Sequence, residues 1–336
     1  MKPRYERIIS TIDTHTAGEP TRIVTGGMPF LRGETMSAKL QELHEKYDTI
    51  RTALLLEPRG HRDMFGAILT SPVSSDAQVG VVYMDNNGYL PMCGHGTIGV
   101  VTALLEMGLV TWEEPETSVV LDTPAGLIRA RACIENGHLR QVSFENVPAF
   151  LLNSHIPLVV PGLGTISVDI SFGGNFFALV NAEQLRLEIQ PERLPNLVEA
   201  AMAILKAANQ QLSVQHPLLP YINTIDLVEI YENWTGSEKG HRNVVVFGKG
   251  QVDRSPCGTG TCAKMAALYS TGKLSFGETF ISESILGTRF SGRLLHPTEV
   301  GSFSAVIPEI SGSAYVTGFQ QFVVDPADPL KNGFLV

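Results

Sequence analysis

Two stretches decide how this chain is read: Cys93–Gly108, CGHGTIGVVTALLEMG, and Cys257–Gly272, CGTGTCAKMAALYSTG. They superpose without a gap at an offset of 164 residues, and seven of sixteen positions are identical. The matches are Cys93/Cys257, Gly94/Gly258, Gly96/Gly260, Thr97/Thr261, Ala103/Ala267, Leu104/Leu268 and Gly108/Gly272; ordinary residue usage yields about one. An offset of nearly half of the 336 residues implies two domains of similar design, each contributing one Cys-Gly-x-Gly-Thr element. Each copy opens with glycines, runs on through about four turns of mostly Ala, Leu, Val and Met, and ends at a glycine suited to a left-handed cap. Both read as central, largely buried helices.

Working outward, the apolar runs Thr52–Glu57 and Val79–Met84 before the first copy, and Leu227–Tyr231 and Asn243–Phe247 before the second, predict strands. Leu197–Leu212 predicts an amphipathic helix, while Thr117–Val142 and Glu278–Val306 carry the pattern of short strands between Gly and Pro turns. Gly236–Gly240 and Pro297–Ser302 read as surface loops. The fold class is α+β in two halves, with a boundary near residue 125 drawn from the repeat.

Composition narrows the function. Lys and Arg number 25 against 34 Asp and Glu, so the net charge of −9 offers no general positive field to nucleic acid or an anionic lipid surface. With 43% hydrophobic and 18% charged residues the chain is globular. The first twenty residues, MKPRYERIISTIDTHTAGEP, hold no apolar stretch of secretory length, and no later run approaches the ~18 apolar residues of a membrane span. A soluble cytoplasmic protein is expected. Four cysteines, Cys93, Cys133, Cys257 and Cys262, are too few and too scattered for a disulfide scaffold and read as reduced thiols.

A cysteine just ahead of a glycine-rich helix start lies beside unpaired backbone N–H groups and the positive end of the helix dipole, and both favour the thiolate. The N–H groups of Gly94, His95 and Gly96, and of Gly258, Thr259 and Gly260, can hold an anion, for which a carboxylate is the natural candidate. Were the two halves to face one another across a cleft, two cysteines and two anion sites would converge on one small ligand. That symmetry points to stereochemical inversion: one thiolate removes the proton next to a carboxylate, and the opposing thiol delivers another to the far face. One sulfur is then ionised and one protonated, with coupled titrations.

With these residues in view, the chain resembles the proline racemases and their relatives the hydroxyproline 2-epimerases. The resemblance runs nearly end to end, through DTHTAGEPTRIV (Asp13–Val24), EPRGHRDMFG (Glu57–Gly66), MCGHGTIG (Met92–Gly99), SFGGNFFALV (Ser171–Val180), DRSPCGTGT (Asp253–Thr261), ESILGTRFSG (Glu283–Gly292) and DPLKNGF (Asp328–Phe334). It implies a cofactor-independent two-base enzyme with a diaminopimelate epimerase-like fold: two pseudo-symmetric domains, each with a sheet wrapped around a central helix. It implies a homodimer, and a C-terminal segment that returns to the first domain, giving domains of 1–125 with 316–336 and of 126–315. By motif, Cys93 and Cys257 match the catalytic pair, Gly94, His95, Gly258 and Thr259 the carboxylate-binding positions, and Asp253 and the His95 side chain the partners of the substrate amine. A dehydratase branch acting on 3-hydroxyproline typically carries threonine in place of the second cysteine, and Cys257 argues against it. Phe65, Leu227 and Phe247 match the positions that receive the substrate ring. All three are apolar, so a buried 4-hydroxyl would go without a partner at a cost of about 1–3 kcal/mol, and proline is expected over 4-hydroxyproline.

The alternatives are a 4-hydroxyproline 2-epimerase with the same catalytic pair, and a non-catalytic amino-acid binding protein that keeps only the helix-end carboxylate site. Cys93, His95, Cys257 and Cys262 fit no common zinc spacing, so no metal is expected. Neither glycine motif has the Walker lysine or the spaced glycines of a dinucleotide site. Cys133 and Cys262 read as core residues, His15, His61 and His241 as structural or surface histidines, and Lys264 as solvated, with nothing around it to mark a pyridoxal site.

Overall fold

The computed structural model describes residues 4–234 and 238–336. In chain order the elements are β1 (Arg7–Thr16), β2 (Glu19–Gly26), α1 (Met36–Lys46), α2 (Asp48–Leu55), β3 (Gly66–Thr70), β4 (Val79–Met84), β5 (Tyr89–Leu90), α3 (Gly94–Glu106), β6 (Glu116–Thr123), β7 (Gly126–Glu135) and β8 (His138–Glu145). They continue with β9 (Ala149–Val160), β10 (Gly164–Phe172), β11 (Phe176–Asn181), α4 (Ala182–Leu185), α5 (Leu194–Gln211), β12 (Ile225–Asn233), β13 (Gly240–Phe247), β14 (Gln251–Asp253), α6 (Gly258–Ser270), β15 (Thr279–Glu283), β16 (Arg289–Val300), β17 (Phe303–Gly312) and β18 (Ala314–Val324). The chain divides into a first unit, Met1–Phe144 with Ser313–Val336, and a second, Glu145–Gly312.

The repeat extends far beyond the sixteen-residue window, into the order of strand pairing. In the first unit β1–β2 is antiparallel, β2–β3 parallel, β3–β4 and β4–β5 antiparallel, β4–β6 parallel, and β6–β7 and β7–β8 antiparallel. In the second unit β10–β11, β11–β12, β12–β13, β13–β14, β13–β15, β15–β16 and β16–β17 reproduce that order, pair for pair. The strand flanking β10 is β9, supplied from within the second unit, whereas the strand flanking β1 is β18, supplied by the C-terminus. The C-terminal segment thus completes the first unit. In the second unit β17 pairs back onto β9, closing the ring.

Each glycine-started helix is the buried centre of its unit. Every residue of α3 from Gly94 to Leu105 is buried, as is every residue of α6 from Gly258 to Ala267. Period-two alternation feeds α6 from the surrounding strands: Phe177 and Leu179 of β11, Leu227 and Tyr231 of β12 and Val245 of β13 pack with Cys257, Ala263 and Ala267. The opposite faces of the same strands, Phe176, Ala178, Val228, Ile230, Val244 and Val246, pack with α5 through Leu197, Ala201 and Ile204. Both helices stop alike. Gly108 and Gly272 take φ of +65° and +69°, and the next residue donates back into the last turn, Leu109 N–H to Leu104 O at 2.9 Å and Lys273 N–H to Leu268 O at 2.8 Å.

Five expectations change. The division falls after Phe144 instead of near residue 125, because β7 and β8 stay paired to β6 in the first unit, and the return begins at Ser313. Thr52–Glu57 is not a strand: Ile50, Ala53 and Leu54 fall on one face of α2, and an Arg51–Asp48 ion pair at 2.7 Å spans one of its turns. Pro297–Val300 is strand, with Pro297 opposite Val306. β15 pairs only with Arg289–Arg293 of β16, so Pro297 forfeits no hydrogen bond to it. The loop expected at Gly236–Gly240 begins outside the described residues, and Gly240 already belongs to β13. The amphipathic helix begins at Leu194 instead of Leu197, with a proline in its first turn.

Candidate active site

In the first unit Cys93 is the N-cap of α3, in extended backbone at φ −150°. Gly96 N–H donates to Cys93 Sγ at 3.4 Å, and the Thr97 hydroxyl donates to the Cys93 carbonyl at 2.7 Å. His95 Nδ1 lies 3.3 Å from the same sulfur, and the imidazole meets the Phe65 ring edge-on with centroids 4.5 Å apart. The Thr16 hydroxyl donates to the His95 carbonyl at 2.8 Å and ties this turn to β1. Beneath the cap Tyr83 of β4 shares a 2.7 Å hydrogen bond with Thr97 Oγ1. Phe65, Cys93 and His95, three of the residues singled out by sequence, therefore form one buried group.

The second unit repeats the cap and alters what surrounds it. Gly260 N–H donates to Cys257 Sγ at 3.4 Å, and the Thr261 hydroxyl to the Cys257 carbonyl at 2.7 Å. Cys257, however, sits at φ +60°, ψ +105°, in a region that disfavours side chains. Three side chains hold the preceding carbonyl, that of Pro256: Asn243 Nδ2 at 2.9 Å, Thr261 Oγ1 at 3.3 Å and Ser282 Oγ at 3.3 Å. Asp253 Oδ1 accepts from Ser255 N–H at 2.8 Å, and Ser255 Oγ from Cys257 N–H at 3.1 Å. Thr259 Oγ1 lies 3.7 Å from Cys257 Sγ. Leu227 and Phe247 are cross-strand partners on β12 and β13, half-buried, and Leu227 packs in the cluster that contains Cys257.

Gly96 and Gly260 direct their amides at their own cysteines, which leaves Gly94 and His95, and Gly258 and Thr259, as the first-turn donors suited to an anion. A helix start was expected to favour the thiolate, yet at Cys257 the reverse holds. Burial pushes this thiol well above its ordinary range and the Asp253 carboxylate adds to it; the Gly260 N–H opposes, Glu229 adds again, and Thr259 opposes.

Sequence reasoning missed the floor under α6. Lys264 is not solvated: it is 4% exposed, with Nζ 3.0 Å from the centroid of the Tyr231 ring. Glu229 and His241 are wholly buried, with Glu229 Oε1 3.6 Å from His241 Nδ1. His241 Nε2 lies 2.9 Å from Ser282 Oγ. Burial drives both members of the Glu229–Lys264 pair toward neutrality, raising the carboxyl and lowering the ammonium, each opposed by the other's charge. One signal was available: alternation along β12 puts Glu229 on the face shared by Leu227 and Tyr231. Of the residues set aside, Cys262 is a buried core residue, Cys133 is half-buried on β7, His15 Nδ1 accepts from Gly18 N–H at 3.2 Å and His61 Nδ1 from Asp63 N–H at 3.2 Å.

These features define a class, a mixed α/β protein with a cysteine-capped central helix in each unit. A hydroxyproline epimerase from Agrobacterium vitis, solved with bound trans-4-hydroxy-L-proline, shares the fold at a TM-score of 0.92 and 35% identity, covering 100% of this chain and 96% of that one. The family described as Proline racemase matches residues 11–335, and the chain belongs to it. Among its relatives, a proline racemase of Clostridioides difficile is 52% identical over 99% of each chain. A 4-hydroxyproline 2-epimerase of Streptosporangium roseum is 43% identical over 99% of this chain and 100% of its own length.

Proposed function

We propose that the chain is a proline racemase in which Cys93 and Cys257 are the two bases, one removing the Cα proton and the other reprotonating the opposite face. The observation that carries this reading is the matched pair of caps, each sulfur set at a helix start by the second glycine's N–H at 3.4 Å. The full-length identity of 52% to a proline racemase supports it, and the shared order of strand pairing supports two units of common pseudo-symmetric design. The reaction requires that both sulfurs reach one Cα. Gly94, His95, Gly258 and Thr259 would bind the substrate carboxylate through first-turn donors, and Asp253 and His95 its amine. Amides aimed where charge builds up stabilise the carbanion-like transition state.

The raised thiol suits Cys257 to the part of resting proton donor. L- and D-proline use the pair in opposite senses. Phe65, Leu227 and Phe247 would offer a substrate ring only apolar side chains, which favours proline over trans-4-hydroxy-L-proline, whose hydroxyl would lose about 1–3 kcal/mol of hydrogen bonding. A homodimer, supported by the resemblance, is tested by solution mass.

Incubation with L-proline in D2O tests the reading: deuterium enters Cα and optical rotation decays to zero. Absence of exchange with proline and with both hydroxyprolines refutes it, and faster turnover of trans-4-hydroxy-L-proline transfers the assignment to an epimerase.

A further inference from the structure

Glu229 is 0% exposed, and among the described residues neither carboxyl oxygen has a hydrogen-bond partner. Burying a carboxyl group without a hydrogen bond is costly, so its presence at this spot asks for a use. Its position is specific. A side-chain carbon placed on Gly260 would meet Glu229 Oε2 at 2.5 Å and Cys257 Sγ at 3.2 Å, so carboxylate and thiol flank the same point at the start of α6. Gly260 is also the residue whose N–H donates to Cys257 Sγ. On its other side Glu229 Oε1 faces His241, and from there Ser282 and Asn243 reach the Pro256 carbonyl that precedes Cys257. The same point in the first unit, beside Gly96 and Cys93, is occupied by the Tyr83 ring, 2.9 Å from where a Gly96 side-chain carbon would lie.

We propose that Glu229 is a positioning residue for Cys257: its carboxyl group, set with the sulfur around one point at Gly260, opposes loss of the proton from this cysteine once it is itself ionised and makes a matched pair of cysteines unequal. This rests on the proposed two-base reaction for its consequence, but not for its test. The charged and titratable groups around the two are Lys264 and Cys262 from α6, His241 from β13, Tyr231 from β12, Asp253 from β14, and Asp169 of β10 and Lys273, which act on Lys264. Among them Asp253 and Glu229 favour the protonated sulfur. Glu229 is the one without a hydrogen bond of its own.

Two mirror-image substrates have equal free energy in achiral solvent, so kcat/KM must be the same for both hands in any variant. The inequality of the cysteines therefore shows as a split in kcat and KM separately between L- and D-proline.

The decisive measurement is iodoacetamide labelling of the intact chain across pH, read separately at Cys93 and Cys257 by mass spectrometry. In Glu229→Gln the Cys257 profile moves to lower pH, with labelling at pH 9 faster by about threefold or more, while the Cys93 profile stays in place; Glu229→Asp, which keeps the charge but draws it back from Gly260, falls between. The kcat ratio of the two hands moves toward one in Glu229→Gln. A Cys257 profile that stays put in both variants overturns the proposal. So does a rise in labelling of both cysteines at every pH, which is the mark of a loosened fold. Should Glu229→Gln not fold, Glu229→Asp decides alone. Failure of proline to exchange its Cα proton would instead remove the racemase reading, and the labelling result would still stand or fall by itself.

Discussion

The two helix starts are alike where the repeat is alike and differ where their supports come from elsewhere in the chain. Sulfur to glycine N–H is 3.4 Å in both, and threonine hydroxyl to cysteine carbonyl is 2.7 Å in both. The backbone at the cysteine is relaxed in one, φ −150°, and strained in the other, φ +60°. The floor is a phenol hydrogen-bonded to Thr97 in one and a carboxyl group with no hydrogen bond among the described residues in the other. On the proposed two-base reading, equivalent reach would fall to the shared cap and complementary protonation to the unshared floor.

The largest effect would break the comparison outright. On the proposed reaction Cys93→Ser and Cys257→Ser would each remove one proton-transfer group, and each is expected to lower turnover of both hands by about 10²–10⁴-fold. Binding of a planar anionic analogue should survive in both, because the first-turn amides remain. A variant that keeps a tenth of wild-type turnover would show that its cysteine is not a base. Next come the glycines under the sulfurs. Gly260→Ala drives a methyl against a carboxylate oxygen at 2.5 Å and a sulfur at 3.2 Å; Gly96→Ala drives it against ring carbons of Tyr83 at 2.9 and 3.0 Å. Overpacking of this kind costs about 1–3 kcal/mol. Thermal unfolding should place Gly260→Ala at the top of that range and Gly96→Ala lower, since a ring edge yields more readily than a buried carboxylate wedged beside His241.

How much of this was legible follows the same division. The helices, their glycine caps, and the strands Val79–Met84, Leu227–Tyr231 and Asn243–Phe247 could be read because each is local: apolar period, turn residue and cap lie within a few residues of one another. The supports could not. Glu229 and Lys264 carry residue types that belong at the surface unless a distant partner compensates them, and Lys264 was read as solvated because Tyr231 and Glu229 lie more than thirty residues earlier in the chain. The positive φ of Cys257 leaves no trace in composition, since it is imposed by Asn243, Thr261 and Ser282 on the Pro256 carbonyl. The division after Phe144 depends on β7 and β8 pairing with β6. The repeat alone cannot reveal that.

Titration sharpens the contrast between the units. Cys257 and Cys262 are both pushed upward, chiefly by burial, from an ordinary value of 9.0. Below pH 9 folded and unfolded chains both hold these protons, and the groups make no pH-dependent difference. Above it the unfolded chain releases them while the folded chain keeps them, so stability falls by about 1.4 kcal/mol per pH unit for each group until the folded thiol titrates. In the first unit Tyr83, likewise raised by burial, starts to contribute only above its ordinary 10.0. Between pH 9 and 10, denaturant unfolding should therefore show a slope that Cys257→Ser flattens by one group's share and that Tyr83→Phe leaves unchanged. An equal response from both would erase the distinction.

The smallest expected effect isolates the backbone. Replacing either capping cysteine by glycine removes a buried side chain and the sulfur that accepts a glycine N–H, so both variants lose stability through the same terms. Only at Cys257 does glycine also relieve a conformation, φ +60°, that costs a side-chain-bearing residue on the order of 1 kcal/mol or more. Cys257→Gly should thus unfold at a higher denaturant concentration than Cys93→Gly, by a difference of about 1 kcal/mol. Because the two caps share their hydrogen-bond geometry, the subtraction cancels most of what the substitutions have in common. If the difference vanishes, three donors on the Pro256 carbonyl are holding nothing under tension, and the strain is no part of how this sulfur is aimed. If it persists, the fold spends stability at one cysteine that it does not spend at the other, as expected where a side chain must be aimed against its own backbone preference.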